Sequence, residues 1–132
     1  MSALLVGAAA ERRRTFTPED VAEYRHLSGD AGMGFGRPEP GGVPGPLLAG
    51  MISDLLGTTL PGLGTMWLKQ SIRHLDAVPV GAEVVAEVRV TRLRPEKGLV
   101  DLHTECRSGG HPVLDGAALV LVPDLERRLR QP

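Results

Sequence analysis

The clearest pattern in the chain is an apolar stripe at helical spacing between residues 47 and 56. Leu47, Leu48, Met51, Ile52, Leu55 and Leu56 recur at i, i+1, i+4, i+5, i+8 and i+9, a wide stripe of helical period. Ala49, Gly50 and Ser53 lie between them and allow close approach. The surrounding stretch 43–65 carries one charge, Asp54. Pro46 suits a first helical position and Gly57 the far end. Gly and Pro interrupt the stretch too often, and it is too short, for a bilayer span. The pattern predicts one helix buried in the middle of a domain.

Downstream the period changes to two. Residues 66–75 predict a strand, and 76–81 turn through Pro79 and Gly81. In 82–93, Val84, Ala86, Val88 and Val90 alternate with Val85, Glu87, Arg89 and Thr91. In 99–107, Val100, Leu102, Thr104 and Cys106 oppose Asp101, His103, Glu105 and Arg107. Residues 94–98 and 108–112 read as turns, and 113–122 as a last apolar strand. Four successive strands with short turns predict an antiparallel meander with one wet face.

Upstream, 11–16 predicts an opening strand whose arginines, 12 to 14, form a solvated edge. Thr17-Pro18-Glu19-Asp20 is a helix start, with a hydroxyl cap, Pro at the first position and acids in the first turn. That helix runs through Val21, Tyr24 and Leu27 and stops at Ser28-Gly29. Six glycines and four prolines in residues 32–46 predict a loop, whose Met33 and Phe35 either anchor it, the favoured reading, or plug a cavity. The tail after Pro123 is charged, and helical or frayed. The expected architecture is α+β, an antiparallel curved sheet wrapped around a central helix in one domain, residues 1–132. Residues 11–123 form its core, with 1–10 and 124–132 as terminal segments. A single curled sheet leaves an edge open, which predicts a dimer.

Composition changes this picture little. Fifteen basic against sixteen acidic residues give nothing to favour nucleic acid or an anionic membrane. One cysteine, Cys106, excludes an internal disulfide, fits a reducing compartment and reads as a small semi-buried side chain. The apolar first ten residues lack a basic flank and predict no signal peptide, so the expected location is cytoplasmic. Histidines 26, 74, 103 and 111 show no metal-ligand spacing, and no cofactor is expected.

Phe16-Thr17, Glu19-Asp20-Val21 and Leu27-Ser28-Gly29-Asp30 resemble the opening of the MaoC-like (R)-specific enoyl-CoA hydratases. So do Leu47-Leu48-Ala49, Ile52-Ser53, Leu55 to Gly62, Gln70-Ser71-Ile72-Arg73, Val78 to Gly81 and Glu83-Val84. The likeness spans roughly residues 12–123. It implies a hot-dog fold, a homodimer, and an acyl thioester of coenzyme A or acyl carrier protein as ligand, with the pantetheine arm along the dimer interface. The family adds water to a trans-2-enoyl thioester or removes it, using Asp-x-Asn-Pro-x-His with backbone N–H donors at the start of the central helix.

On that pattern Asp30 stands at the aspartate position, Gly45 at an oxyanion donor, and Ser53 where relatives carry a serine. Met33, Phe35, Leu48 and Ile52 are expected against the acyl group. The asparagine position is Gly32, the histidine position is Phe35, and the family's His-Gly before the central helix is Pro44-Gly45. Losing a general acid or base costs about 10²–10⁴ in rate, so weak hydratase turnover is expected. His26, four residues before Asp30, is the candidate substitute imidazole, although an exposed helix histidine paired loosely with Glu23 or Asp30 is the favoured reading. His74 reads as groove or core packing, His103 as solvent-facing and His111 as a turn residue. The alternatives to an altered hydratase are three. They are a non-catalytic thioester-binding module, the degenerate half of a heterodimer with an intact MaoC-like chain, and a pocket repurposed for isomerase, cyclase or decarboxylase chemistry.

Overall fold

The computed structural model describes residues 4–32 and 42–130. In chain order the elements are β1 (Ala9–Thr15), α1 (Pro18–Ser28), α2 (Gly45–Thr58), β2 (Met66–His74), β3 (Glu83–Arg94), β4 (Leu99–Ser108), β5 (His111–Leu121) and α3 (Leu125–Arg130). One 3₁₀ turn, Pro95–Lys97, joins β3 to β4.

The apolar stripe becomes α2, which buries Leu48, Met51, Ile52, Leu55 and Leu56 against the hollow of the sheet. The sheet offers the alternate residues that the period of two picks out. Val84, Ala86, Val88 and Val90 of β3 and Val100, Leu102, Thr104 and Cys106 of β4 are all buried, while their neighbours face outward. Cys106 lies under α2 with Sγ 3.8 Å from the Leu48 carbonyl. Burial, with the charge of Glu105 as a smaller cause, pushes its thiol up to about 12. It is a packing residue.

α1 starts as expected. The Thr17 hydroxyl accepts from the Asp20 amide at 3.1 Å, and the Thr17 amide donates to the Asp20 carboxylate at 2.9 Å, a reciprocal cap. Gly29 closes the helix in the left-handed region at φ 75°, where a residue without Cβ fits best. No α1 residue is fully buried; the helix lies across the surface, with Leu27 82% exposed.

The five strands are antiparallel in the order β1-β3-β4-β5-β2. This corrects the meander: β3, β4 and β5 are consecutive neighbours, but β2 pairs with β5 at the far edge. The reason lies in residues 75–82, which run across the end of the sheet instead of closing a hairpin. The Leu75 amide donates to the Val113 carbonyl at 2.9 Å, Val43 to Val78 at 2.8 Å and Gly81 to Phe16 at 2.9 Å. The segment is thereby tied in turn to β5, to the entry of α2 and to the end of β1. β2 meets β5 closely at Gly116, where a Cβ would overlap the Ser71 carbonyl.

β1 forms the other edge, and its arginines are the solvated rim expected. Arg12 pairs with Asp54 at 3.5 Å, Arg13 with Glu83 at 3.1 Å and Arg14 with Asp20 at 3.7 Å. The tail folds into α3, held by buried Leu125 and by Arg128 donating to the Pro61 carbonyl at 3.0 Å. Among the described residues, no helix is long and apolar enough to cross a membrane.

Candidate active site

The chain brings three segments together around the leading end of α2. Residues 29–32 leave α1, residues 42–46 enter α2, and 74–78 leave β2. They enclose a pocket of about 250 Å³ lined by Asp30, Gly45, Leu48 and His74, with Arg25, Asp76 and neighbouring backbone completing the wall.

Asp30 is set by the end of α1. Its Oδ1 accepts from the Gly32 amide at 2.8 Å and its Oδ2 from the Tyr24 hydroxyl at 2.8 Å. The Arg25 guanidinium donates to the carbonyls of Asp30 and Gly32, at 3.1 and 2.8 Å, and fixes the turn that carries the carboxylate. Hydrogen bonds to an anion favour the anion. The Gly32 amide, then Tyr24, hold the Asp30 carboxyl below the usual carboxylate value against desolvation, with the charge of Arg25 a smaller lowering cause. The same bond to Asp30 pushes the Tyr24 phenol up. Asp30 is therefore a carboxylate at neutral pH, able to accept hydrogen bonds and to orient water.

Gly45 is the first residue of α2 and Pro44 its cap, with no side-chain cap. Pro46 has no N–H, and the Leu47 amide turns back onto the Pro44 carbonyl at 3.0 Å. The Gly45 N–H finds no acceptor among the described residues. It stands at the positive end of the helix dipole, where an amide stabilises developing negative charge.

His74 closes the pocket from β2. It shares strand parity with Gln70, whose side chain reaches the buried Thr104 hydroxyl at 2.8 Å, and with Ile72, which packs on the core. At the strand's end that face meets Gly45. A Cβ on Gly45 would lie 2.6 Å from His74 Cε1 and 2.9 Å from Nε2.

Other expected site residues separate. Leu48 lines the pocket. Ile52 is fully enclosed in the core beneath the sheet and is not part of this pocket wall. Ser53 sits on the exposed side of α2 and is absent from the pocket wall. His26 is exposed on α1; the partners of the Asp30 carboxylate are Tyr24 and Gly32, not this imidazole. Met33 and Phe35 lie outside the described residues. His74, expected as groove or core packing, stands in the pocket wall, and its parity with Gln70 and Ile72 places it on the helix side of the sheet.

Five antiparallel strands curled round one buried helix are the hot-dog fold. The chain matches no family model, but individual proteins match it over nearly its whole length. It is 39% identical over 132 residues to an (R)-specific enoyl-CoA hydratase of Aeromonas caviae, covering 91% of this chain and 96% of that one. A second (R)-specific enoyl-CoA hydratase, from Rhodospirillum rubrum, is 46% identical over 79 residues. That match takes in 60% of this chain and spans about half of the relative, 55% of its length. Among solved structures, the (R)-hydratase from A. caviae involved in PHA biosynthesis superposes with a TM-score of 0.83 at 38% identity, over 92% of this chain and 98% of that chain. The chain belongs to the MaoC-like (R)-specific enoyl-CoA hydratase family.

Proposed function

We propose that this protein binds an acyl thioester of coenzyme A or of acyl carrier protein with its reacting end in the Asp30–Gly45 pocket, and that it interconverts 2-enoyl and 3-hydroxyacyl thioesters. The observation that carries this reading is the pairing within one pocket of an ionised carboxylate with a helix-start amide that finds no acceptor among the described residues. Such a pair holds water at C3 while it stabilises the enolate oxygen on C1. The pocket, about 250 Å³, has room for the reacting end of the substrate, with the carrier outside. The residues described need no metal for this chemistry, since the amide and the helix dipole supply the electrophile.

The working form is a homodimer in a reducing, cytoplasmic setting. β2 supports the assembly, being an edge strand with Met66, Trp67 and Leu68 all at least 40% exposed. An open apolar edge of that kind favours pairing with a second chain.

The test is direct. Purified protein mixed with crotonyl-CoA loses the enoyl absorbance, and Asp30→Ala abolishes the loss. Equal inertness of both proteins would remove the enzymatic reading. The second reading, a non-catalytic or heterodimer-partner subunit, is favoured by Phe35 at the family's histidine position. It predicts acyl-thioester binding without turnover, or co-purification with an intact MaoC-like chain.

A further inference from the structure

We propose that His74 is the proton-carrying imidazole of this site, moving one proton between C2 of the acyl thioester and the oxygen on C3. This rests on the thioester reading above and names the group that the family motif no longer provides at position 35.

Of the four histidines, His74 alone lines the pocket that contains Asp30 and Gly45. His26 and His103 lie outside its wall, and His111 is engaged with Asp76 at 3.1 Å. The ring of His74 lies where a Gly45 side chain would stand. It is thus beside the amide that would receive the thioester oxygen, and C2 is bonded to that same carbonyl carbon. Glycine at 45 is what lets the imidazole come so near: any Cβ there would meet the ring well inside contact distance. Asp76 and Arg25, the other charged groups in the wall, are turned to structural work. Asp76 accepts from the Ala77 amide at 2.8 Å as well as meeting His111, and Arg25 braces the turn at 29–32.

Asp30 is ill suited to carry the proton, because two hydrogen-bond donors already stabilise its anion. An imidazole both takes and gives a proton near neutral pH. In dehydration, the neutral His74 ring removes the C2 proton. The C2–H pair becomes the C2=C3 bond, the C3–O bond breaks, and the departing oxygen takes the proton from the imidazolium to leave as water. Asp30 accepts a hydrogen bond from that hydroxyl and remains a carboxylate throughout, while Gly45 N–H supports the transient enolate. Hydration is the reverse. Atoms, electrons and charge balance without any further reagent.

The experiment compares wild type with His74→Phe, which keeps a flat ring over Gly45 and removes both nitrogens. Three quantities are measured on the full chain: kcat for crotonyl-CoA hydration, calorimetric binding of the saturated analogue butyryl-CoA, and the melting temperature. The expected result is a fall in kcat of about 10²–10⁴ with binding and melting unchanged. Should His74→Phe fold poorly, His74→Gln provides the same comparison with a smaller change in polarity. Wild-type turnover in either variant, alongside an inert Asp30→Ala, overturns the role of His74 and leaves the thioester site standing. Binding of butyryl-CoA by a wild type that turns over no enoyl thioester also overturns it, in favour of a non-catalytic subunit. Neither binding nor turnover in wild type removes both readings.

Discussion

The imidazole of His74 covers Gly45 so closely that a methyl group added to the glycine would come within 2.6 Å of Cε1. A β-strand end and a helix start, 29 positions apart in the chain by their numbers (74 − 45), thus share one point of contact. Gly45→Ala must move the ring. The fold should survive, since the obstacle is a side chain free to rotate. We expect the His74 Cε1 proton resonance to shift in NMR spectra, and crotonyl-CoA turnover to fall toward that of His74→Phe. An unchanged resonance would contradict the contact.

Tyr24→Phe removes one of the two donors that the described residues give the Asp30 carboxylate. In the folded protein this carboxyl is held below 3.8, chiefly by the Gly32 amide and next by Tyr24. A group with a lowered folded value adds stability that is complete above its unfolded value and is lost as pH falls through the folded one. In the variant the folded value climbs toward 3.8 and that contribution shrinks. Denaturant unfolding measured across the acid range should show a smaller loss of stability below pH 3.8 than in wild type. The carboxylate is solvent-accessible, so the difference will be modest.

Gly116→Ala meets backbone, not side chain. Its Cβ would overlap the Ser71 carbonyl oxygen and stand 2.8 Å from the carbonyl carbon. β2 would have to draw away from β5, a form of overpacking that costs about 1–3 kcal/mol. Urea denaturation should report that loss, and amide exchange along β2 should quicken more than along β3.

Ile52 and Ser53 are adjacent in sequence and opposite in consequence. Ile52→Ala opens a cavity under the sheet and should destabilise the fold by about 2–5 kcal/mol. Ser53→Ala touches an exposed position and should stay within about 0.5 kcal/mol of wild type. A change of acyl preference in Ile52→Ala at unaltered stability would return Ile52 to the substrate.

Leu68→Lys places a charge on the open β2 edge, where Leu68 is 48% exposed. Lysine on an edge strand blocks pairing with another chain. Light scattering after size exclusion should change from dimer to monomer, with the protomer's secondary structure intact by circular dichroism.

Much of the fold was legible because it is local. The stripe from Leu47 to Leu56 fixes both the helix and its buried side, and the alternation in β3 and β4 fixes which residues face it. The reciprocal cap of Thr17 and Asp20 needs only four residues. The neighbour of β2 was not legible. Pro79 and Gly81 resemble a hairpin turn in sequence, and only the bonds from residues 75–82 to Val113, Val43 and Phe16 show a crossing segment. The site divides similarly. Asp30 and Gly45 follow from the family motif, whereas the value of His74 depends on a glycine in another element leaving space for its ring. Polarity and spacing along a single strand carry no record of such a vacancy.

Trp67 is the only tryptophan in the chain. It lies on the outer β2 edge and donates from Nε1 to Gln70 Oε1 at 3.1 Å, while Gln70 donates to Thr104 inside the sheet at 2.8 Å. The sole indole is therefore wired to the interior at one end and open to the surroundings at the other. Its emission colour will follow coverage of that rim by another molecule, so dilution of the native protein in a fluorimeter tests the proposed dimer directly, without any attached dye.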